Sequence, residues 1–155
     1  MNNFKVEDRD YDLWLLFART HYHIKRARSK ELSQYALSPE QAGILYYIHS
    51  CGNNAISLDI SRWMLREPQT ITSIIDRMVK KGLIKKARDK ERKNVIRLSL
   101  TDKGEQVFES SNRRESFHQI MSILSEEKRD ALRSILNELI DSAKSNIRQI
   151  ENLPD

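Results

Sequence analysis

The chain has 155 residues, of which 39% are hydrophobic and 32% are charged, and its net charge is +5. This length corresponds to one domain, or to one small domain with helical extensions. It contains no apolar run of roughly 18 residues, which a membrane span requires, and its mixed, acidic start lacks a signal-peptide core. The single cysteine, Cys51, excludes an internal disulfide and a cysteine-rich zinc site. These features predict a cytoplasmic protein without a membrane partner.

The first third of the chain has helical periodicity. Apolar residues recur at three- and four-residue spacing between Asp10 and Tyr35, which predicts one long helix. The residues on its apolar face are Leu13, Leu16, Phe17, Ile24 and Ala27. Ser38 and Pro39 then supply the cap and first turn of a second helix, which is expected to stop near Cys51. Ser57 is expected to cap a short third helix.

The next segment combines a helix with a hairpin. Pro68 opens a helix that is expected to run to Lys81 and to stop at Gly82, a residue suited to the left-handed conformation. After Gly82 the apolar period changes to two, which predicts paired strands at 83–87 and 94–100. Alternation places Ile96, Leu98 and Leu100 on the buried side of the second strand. The charged residues 88–93 form the tip between the strands.

Two further helices are expected at the C-terminal end. Thr101 caps a helix that is predicted to run to about Leu124, and Ser125 caps the last helix. Its apolar stripe from Leu132 to Ile150 is too long for one small domain to cover, so it predicts a dimer interface.

The positive charge of the chain is local. Residues 77–97 contain ten of the 27 basic residues and only two acidic ones, Asp89 and Glu91. A focused cationic surface binds a polyanion by releasing its condensed counterions. The pattern therefore predicts a nucleic-acid partner.

Together these elements predict a mainly α protein with a small β-hairpin wing, that is, a winged helix-turn-helix with N- and C-terminal dimerisation helices. Residues 37–104 form the DNA-binding domain, and residues 1–36 and 105–155 form the dimerisation region. On the helix that starts at Pro68, Ile71, Ile74, Ile75 and Met78 point inward. The opposite polar face is expected to contact bases and phosphates, through Gln69, Thr70, Thr72, Ser73, Arg77 and Lys80.

The hairpin tip is expected to insert into a minor groove, where arginine is favoured. Its candidate DNA contacts are Arg88, Lys90, Arg92 and Lys93. Arg92 is expected to enter the groove, with Lys93 as the alternate. Asp89 and Glu91 are expected to orient these two residues by ion pairing, because a carboxylate is repelled by phosphate.

Two segments of the chain carry a family resemblance. They are EPQTITSIIDRMVKKGLI, from Glu67 to Ile84, and LSLTDKG, from Leu98 to Gly104. They resemble the MarR family, the multiple-antibiotic-resistance type of transcription regulator. The first segment is similar to its recognition helix and first wing strand, and the second is similar to its second wing strand and the cap that follows. The family commonly has arginine where Ser73 stands here, and its wing arginine falls at Asn94.

The resemblance implies a homodimer that holds two winged domains over a pseudo-palindromic operator in double-stranded DNA. It implies that Gln69, Thr70, Thr72 and Ser73 face bases, while Arg77 and the wing hold the backbone and the minor groove. It also implies repression that a small-molecule effector or oxidation relieves. A constitutive or architectural DNA-binding protein, without an effector, is the alternative.

The sequence offers no enzymatic motif. It lacks a glycine-rich phosphate loop, a His-Glu-x-x-His helix and a nucleophile elbow. His21 and His23 lie about 200° apart on a helix, so they cannot jointly bind one metal ion. Cys51 is expected to be a buried, inert thiol rather than an oxidation sensor. We therefore predict a protein that is not an enzyme and that uses no cofactor and no metal.

Overall fold

A computed structural model describes residues 7–151, with side chains described up to residue 149. The chain forms two compact units, one ending at Ser116 and the other beginning at Phe117. Most of the acidic start and the side chain of Ile150, the last residue of the predicted stripe, lie outside the described residues.

Helices dominate the described part of the chain. In order, the elements are α1 (Arg9–Leu32), a 3-10 turn (Ser33–Tyr35), α2 (Pro39–Ser50), α3 (Ser57–Met64), α4 (Pro68–Lys80), β1 (Ile84–Arg88), β2 (Ile96–Leu100), α5 (Asp102–Ser111), α6 (Glu115–Met121) and α7 (Glu126–Glu151). The mainly α architecture with a two-stranded hairpin confirms the predicted fold class.

The core of the first unit draws side chains from α1 through α5 and from the hairpin. Its buried apolar residues are Leu32, Leu37, Ile44, Leu45, Ile48, Ala55, Ile60, Ile71, Ile74, Ile75, Met78, Leu83, Ile84, Leu98, Leu100 and Phe108. Burying a side chain of this size contributes about 1.5–3 kcal/mol. Four of these residues form the predicted inner face of α4, so that helix must present its polar face outward.

Several helix boundaries follow the predicted signals. Ser38 Oγ accepts from the Gln41 amide at 3.2 Å and the Gln41 side chain accepts from the Ser38 amide at 3.0 Å, a capping box with Pro39 as the first helical residue. Pro68 opens α4, and Gly82 beyond its end has a φ of +70°. Lys128 N donates to Ser125 Oγ at 3.4 Å at the start of α7.

The hairpin forms close to its predicted position. β1 and β2 are antiparallel, with Ile84 opposite Leu100 and Arg88 opposite Ile96. Ala55 adds a bridge to Leu98 on the outer side of β2. Leu98 and Leu100 are buried as predicted, whereas Ile96 is 42% exposed because it lies at the tip end, beyond the core.

Two expectations about single residues are wrong. Ser57 does not cap α3, because Ile56 occupies the cap position and makes no side-chain cap bond. Cys51 is exposed rather than buried. It follows the last residue of α2, where the chain turns into Gly52 with a φ of +60°, so its side chain leaves the buried face of the helix.

The predicted helix from Thr101 to Leu124 is interrupted. In a continuous helix, the Ser111 carbonyl would accept from the Glu115 amide. Instead, Arg28 Nη2 donates to the Ser111 carbonyl at 2.9 Å, and the Glu115 amide donates to Glu31 Oε1 at 2.9 Å. Arg114, between α5 and α6, adopts a φ of +55°. Two side chains of α1 therefore satisfy the backbone groups that the break exposes.

Arg28 and Glu31 also pair with each other, with Nη1 and Oε1 2.9 Å apart and both side chains largely buried. Burial opposes ionisation of Glu31, but hydrogen bonds from Ser116 and Arg28 outweigh it and lower the pKa of this carboxyl. The junction after α5 therefore holds a carboxylate that stays charged at neutral pH.

Both long helices carry exposed apolar side chains. On α1, the exposed large residues are Tyr11, Leu13, Trp14, Leu16, Phe17 and Tyr22, and on α7 they are Leu132, Ile135, Leu139, Ile140 and Ile147. Exposed apolar patches of this kind mark interaction surfaces. These side chains are therefore available to a partner.

Gly104 gives a prediction about stability. A Cβ at this position would lie 2.1 Å from the Leu83 carbonyl oxygen, at the base of the hairpin. Because the obstacle is backbone, we expect Gly104→Ala to lower the free energy of unfolding by about 3 kcal/mol, at the upper end of overpacking costs.

Gly52→Ala is the control, since nothing lies within 4 Å of its Cβ. Its left-handed φ should cost only about 1–2 kcal/mol. Urea denaturation of both variants checks the difference, and equal losses would contradict it.

Candidate nucleic-acid interface

The outer face of α4 is polar and open to solvent. All six residues predicted on this face are exposed: Gln69, Thr70, Thr72, Ser73, Arg77 and Lys80. The buried face opposite them fixes the rotation of the helix about its axis. The helix therefore presents amide and hydroxyl groups near its start and cations farther along, as the sequence predicted.

Two of these side chains are partly committed to the helix itself. Thr72 Oγ1 donates to the Pro68 carbonyl at 2.9 Å and lies 3.4 Å from Ser57 Oγ. Its proton is used, so it can offer a ligand only its acceptor lone pairs and its methyl group. Arg77 Nε donates to the Ser73 carbonyl at 3.4 Å, which leaves its terminal nitrogens for an anion.

The hairpin tip carries the second group of candidates. Arg88, Lys90, Arg92 and Lys93 are all exposed. Among the side chains described, those of residues 7–149, no carboxylate lies within salt-bridge distance of any of the four. Their charges are therefore free to attract a polyanion.

The expected ion pairing of Asp89 at the tip is wrong. Asp89 does not pair with the side chain of Arg92 or Lys93; its Oδ2 accepts from Arg97 Nε at 2.5 Å. Its Oδ1 accepts from the amides of Glu91 and Arg92. The backbone hydrogen bond from Arg92, followed by the bond from Arg97, lowers the pKa of Asp89 to about 2.

A second ion pair reduces the effective charge of the hairpin. Asp76 on α4 lies 2.5 Å from Lys86 Nζ on β1. The pair joins the helix to the wing and neutralises one cation of the basic segment. Composition alone overstated the local charge, because Asp76 lies just outside the basic segment.

An open groove lined by both polar and apolar side chains lies beside α4, with a volume of about 660 Å³. Arg66, in the turn between α3 and α4, lines it together with Thr70 and Arg77. Arg66 is not among the DNA contacts predicted from the sequence. Its position two residues before the helix-opening Pro68 was the available signal, because such a turn residue lies next to the exposed start of the helix.

Other kinds of site are not indicated in the described residues. Where side chains are described, in residues 7–149, no group of three or more His, Cys, Asp or Glu side chains is arranged to hold a metal ion. No helix within that range is long and apolar enough to cross a membrane.

Comparison with known families decides the class of protein. A family model described as transcriptional regulator SarA/Rot matches residues 24–110, more than half of the chain. The chain belongs to the SarA/Rot family. The members of this family are transcriptional regulators, which are not enzymes.

Two relatives from Bacillus subtilis (strain 168) have similar sequences. The uncharacterized HTH-type transcriptional regulator YsmB is 31% identical over 86 residues, which are 56% of this chain and 58% of YsmB. The match thus spans less than two thirds of the length of YsmB. The HTH-type transcriptional repressor MdtR is 26% identical over 140 residues, which are 89% of this chain and 90% of MdtR.

Solved structures share the fold of this SarA/Rot-family chain. The organohalide-sensing regulator RdhR, in a form with bound 2,4-dichlorophenol, superposes with a TM-score of 0.81 at 26% identity, covering 92% of this chain and 85% of RdhR. MepR of S. aureus, solved as a DNA complex, gives 0.78 at 22% identity, covering 88% and 99% of the two chains. A mutant MarR from E. coli complexed with operator DNA gives 0.78 at 17% identity, covering 87% and 98%. These structures confirm the predicted MarR-type winged helix.

Proposed function

We propose that this SarA/Rot-family regulator is a homodimeric repressor that binds a pseudo-palindromic operator in double-stranded DNA and is released by a small ligand. The observation that carries the proposal is α4, which buries one face in the core and exposes a polar face beside a wing with four exposed cations. An α-helix fits the major groove, and an adjacent hairpin can reach the neighbouring minor groove.

The side chains on the polar face of α4 form two groups, one of amides and hydroxyls and one of cations. Gln69 can make a bidentate contact with adenine. The hydroxyls of Thr70 and Ser73 can hydrogen-bond to donor or acceptor groups on the base edges. Arg77 and Lys80, farther along, suit phosphate oxygens. We assign base contacts to Gln69, Thr70, Thr72 and Ser73, and backbone contacts to Arg77, Lys80 and the wing.

The exposed apolar residues of α1 and α7 support a homodimer. Side chains such as Phe17 and Ile135 are more than half exposed. A second copy of the chain is the partner that buries such surface on both molecules at once. A dimer would place two α4 helices on one DNA duplex.

The proposal of repression that a ligand relieves is based on two similar proteins. MdtR is named a repressor, and RdhR was solved with a chlorophenol bound. A ligand releases the operator only if it binds the DNA-incompetent state more tightly than the competent one. A constitutive architectural protein would have the same fold and charge, so operator specificity is the property to test.

Selection from a pool of random duplexes tests the proposal. We expect enrichment of an inverted repeat whose half-sites lie about 10 base pairs apart, centre to centre, or a multiple of one turn. Binding of the whole pool without enrichment would favour the architectural alternative. Absence of binding at low salt would contradict both.

Gln69 should determine which operator is chosen. We expect Gln69→Ala to cost about 1–3 kcal/mol per disrupted base contact on the selected operator, and to leave binding to unrelated DNA nearly unchanged. Gln106→Ala removes the same side chain from an exposed position on α5 and serves as control. Competition binding measures the preference, and an unchanged preference in Gln69→Ala would contradict its assignment to a base.

The wing should act on every DNA sequence alike. We expect the double change Arg92→Ala and Lys93→Ala to weaken binding to all duplexes similarly and to flatten the log–log salt dependence by about 0.9 for each phosphate that the wing no longer neutralises. Arg26→Ala with Lys30→Ala removes two exposed cations from α1 as a matched control. Titrations at several salt concentrations measure the slope, and the same slope in both double variants would place the tip off the DNA.

A further inference from the structure

Arg97 is a basic residue of the wing that is less accessible to DNA than the exposed cations of the hairpin tip. It lies on β2, and its side chain is 30% exposed, whereas the cations of the tip are open to solvent. Its guanidinium bonds Asp89, whose side chain is only 14% exposed. A charge-assisted bond between partly buried groups is stronger than one in open solvent. The guanidinium of Arg97 is therefore engaged in an ion pair within the protein.

The Asp89 carboxylate uses both of its oxygens. Oδ2 accepts from Arg97 Nε at 2.5 Å, while Oδ1 accepts from the amides of Glu91 at 2.9 Å and Arg92 at 2.8 Å. The Arg92 carbonyl in turn accepts from the Val95 amide at 2.8 Å. The backbone on both sides of Arg92 is thus held by short hydrogen bonds, two of which end on one carboxylate.

The other end of Arg97 reaches out of the wing. Its Nη1 donates to the Asn54 carbonyl at 3.4 Å, in the loop between α2 and α3. The next residue of that loop, Ala55, exchanges backbone hydrogen bonds with Leu98. One guanidinium therefore connects the loop between α2 and α3 to the carboxylate that accepts from the tip amides.

We propose that Arg97 is a positioning residue for the wing: through Asp89 it fixes the backbone at Arg92 before DNA arrives. The proposal rests on the proposed DNA binding, and it assigns to Arg97 no contact with DNA. A tip that is ordered in the free protein loses less conformational freedom on binding, which raises affinity without adding a contact. The low pKa of Asp89 keeps this arrangement charged at neutral pH, and protonation breaks it only as the pH falls towards about 2.

Arg97→Lys tests the geometry of the guanidinium separately from its charge. Lysine keeps the positive charge but lacks the planar group that donates to both the Asp89 carboxylate and the Asn54 carbonyl. Arg97→Gln removes the charge as well. Arg88→Gln is the matched control, since Arg88 is exposed on the neighbouring strand and no described carboxylate, in residues 7–149, lies within salt-bridge distance of it.

The first measurement is amide hydrogen exchange at Glu91 and Arg92 in the free protein. We expect both Arg97 variants to speed exchange at these two amides by about tenfold, as for a loss of roughly 1.4 kcal/mol of local stability. Arg88→Gln should leave them unchanged. Unchanged exchange in Arg97→Lys and Arg97→Gln would overturn the proposal, whether or not the protein binds DNA.

The second measurement is DNA affinity across a range of salt concentrations. We expect Arg97→Lys to weaken binding about tenfold with an unchanged salt slope, and Arg88→Gln to flatten the slope by about 0.9. Wild-type affinity in Arg97→Lys would overturn the proposal, because order at the tip would then not matter for binding.

A flatter salt slope in Arg97→Gln, with unchanged amide exchange at Glu91 and Arg92, would instead make Arg97 a phosphate contact. Failure of the wild-type protein to bind any duplex would refute the proposed function, and the exchange result would still decide whether Arg97 orders the tip.

Discussion

Replacing Ile135 and Leu139 by glutamate is expected to convert the protein to monomers and to weaken binding to a two-half-site operator by about 10²- to 10⁴-fold. Both side chains lie on α7, four residues apart and more than half exposed. Residues at this spacing share one helix face. Two charges on that face would have to be buried unpaired in an α7-mediated dimer, which is strongly unfavourable.

The loss of DNA affinity follows from the dimer. Once the first winged domain of a dimer is bound, the second meets its half-site at a high effective concentration. A monomer loses this advantage, although each α4 and wing remain intact. Affinity for an isolated half-site should therefore change little.

Light scattering and operator titration check this prediction together. Asn137→Glu is the control, because it places the same charge at an exposed polar position of the same helix. A double variant that stays dimeric would show that this face of α7 is not the interface. A monomeric variant with wild-type operator affinity would contradict the role of the dimer in binding.

Local signals were enough to predict the elements that build the interface. The inner residues of α4 follow the helical period, and their burial leaves the polar face outward without any further information. The hairpin was predicted from the change to a period of two and from the charged tip. Its strands lie within two residues of the expected bounds, because alternation fixes which side of a strand is buried.

Contacts between distant residues caused the main errors. The break between α5 and α6 depends on Arg28 and Glu31, which lie more than 80 residues away from their backbone partners Ser111 and Glu115. Periodicity around residue 112 contains no trace of these partners. A single sequence therefore favoured one continuous helix.

The pairing of Asp89 was missed for a different reason. Proximity along the chain suggested Arg92 and Lys93, but the register places Arg97 opposite Ala87, two residues before Asp89. Diagonal cross-strand neighbours of this kind lie within reach of long side chains. Once the hairpin register is predicted, Arg97 is the basic residue to test against Asp89, so this contact had a usable signal.

Inserting five base pairs between the half-sites of the selected operator is expected to abolish tight binding. The two α4 helices of a symmetric dimer must enter successive major grooves on one face of the duplex. Five base pairs are about half a helical turn, so the insertion turns one half-site to the opposite face. Only one winged domain can then bind, and we expect the affinity to fall to that of a single half-site.

Titration of the wild-type protein against three operators, with zero, five and ten added base pairs, tests this account most directly. A symmetric dimer predicts that the five-base-pair insertion reduces affinity to the half-site level. The ten-base-pair insertion should recover part of the loss, because it restores the face of the duplex but not the distance. Equal affinity for all three operators would contradict a dimer that binds two half-sites, and with it the proposed repressor.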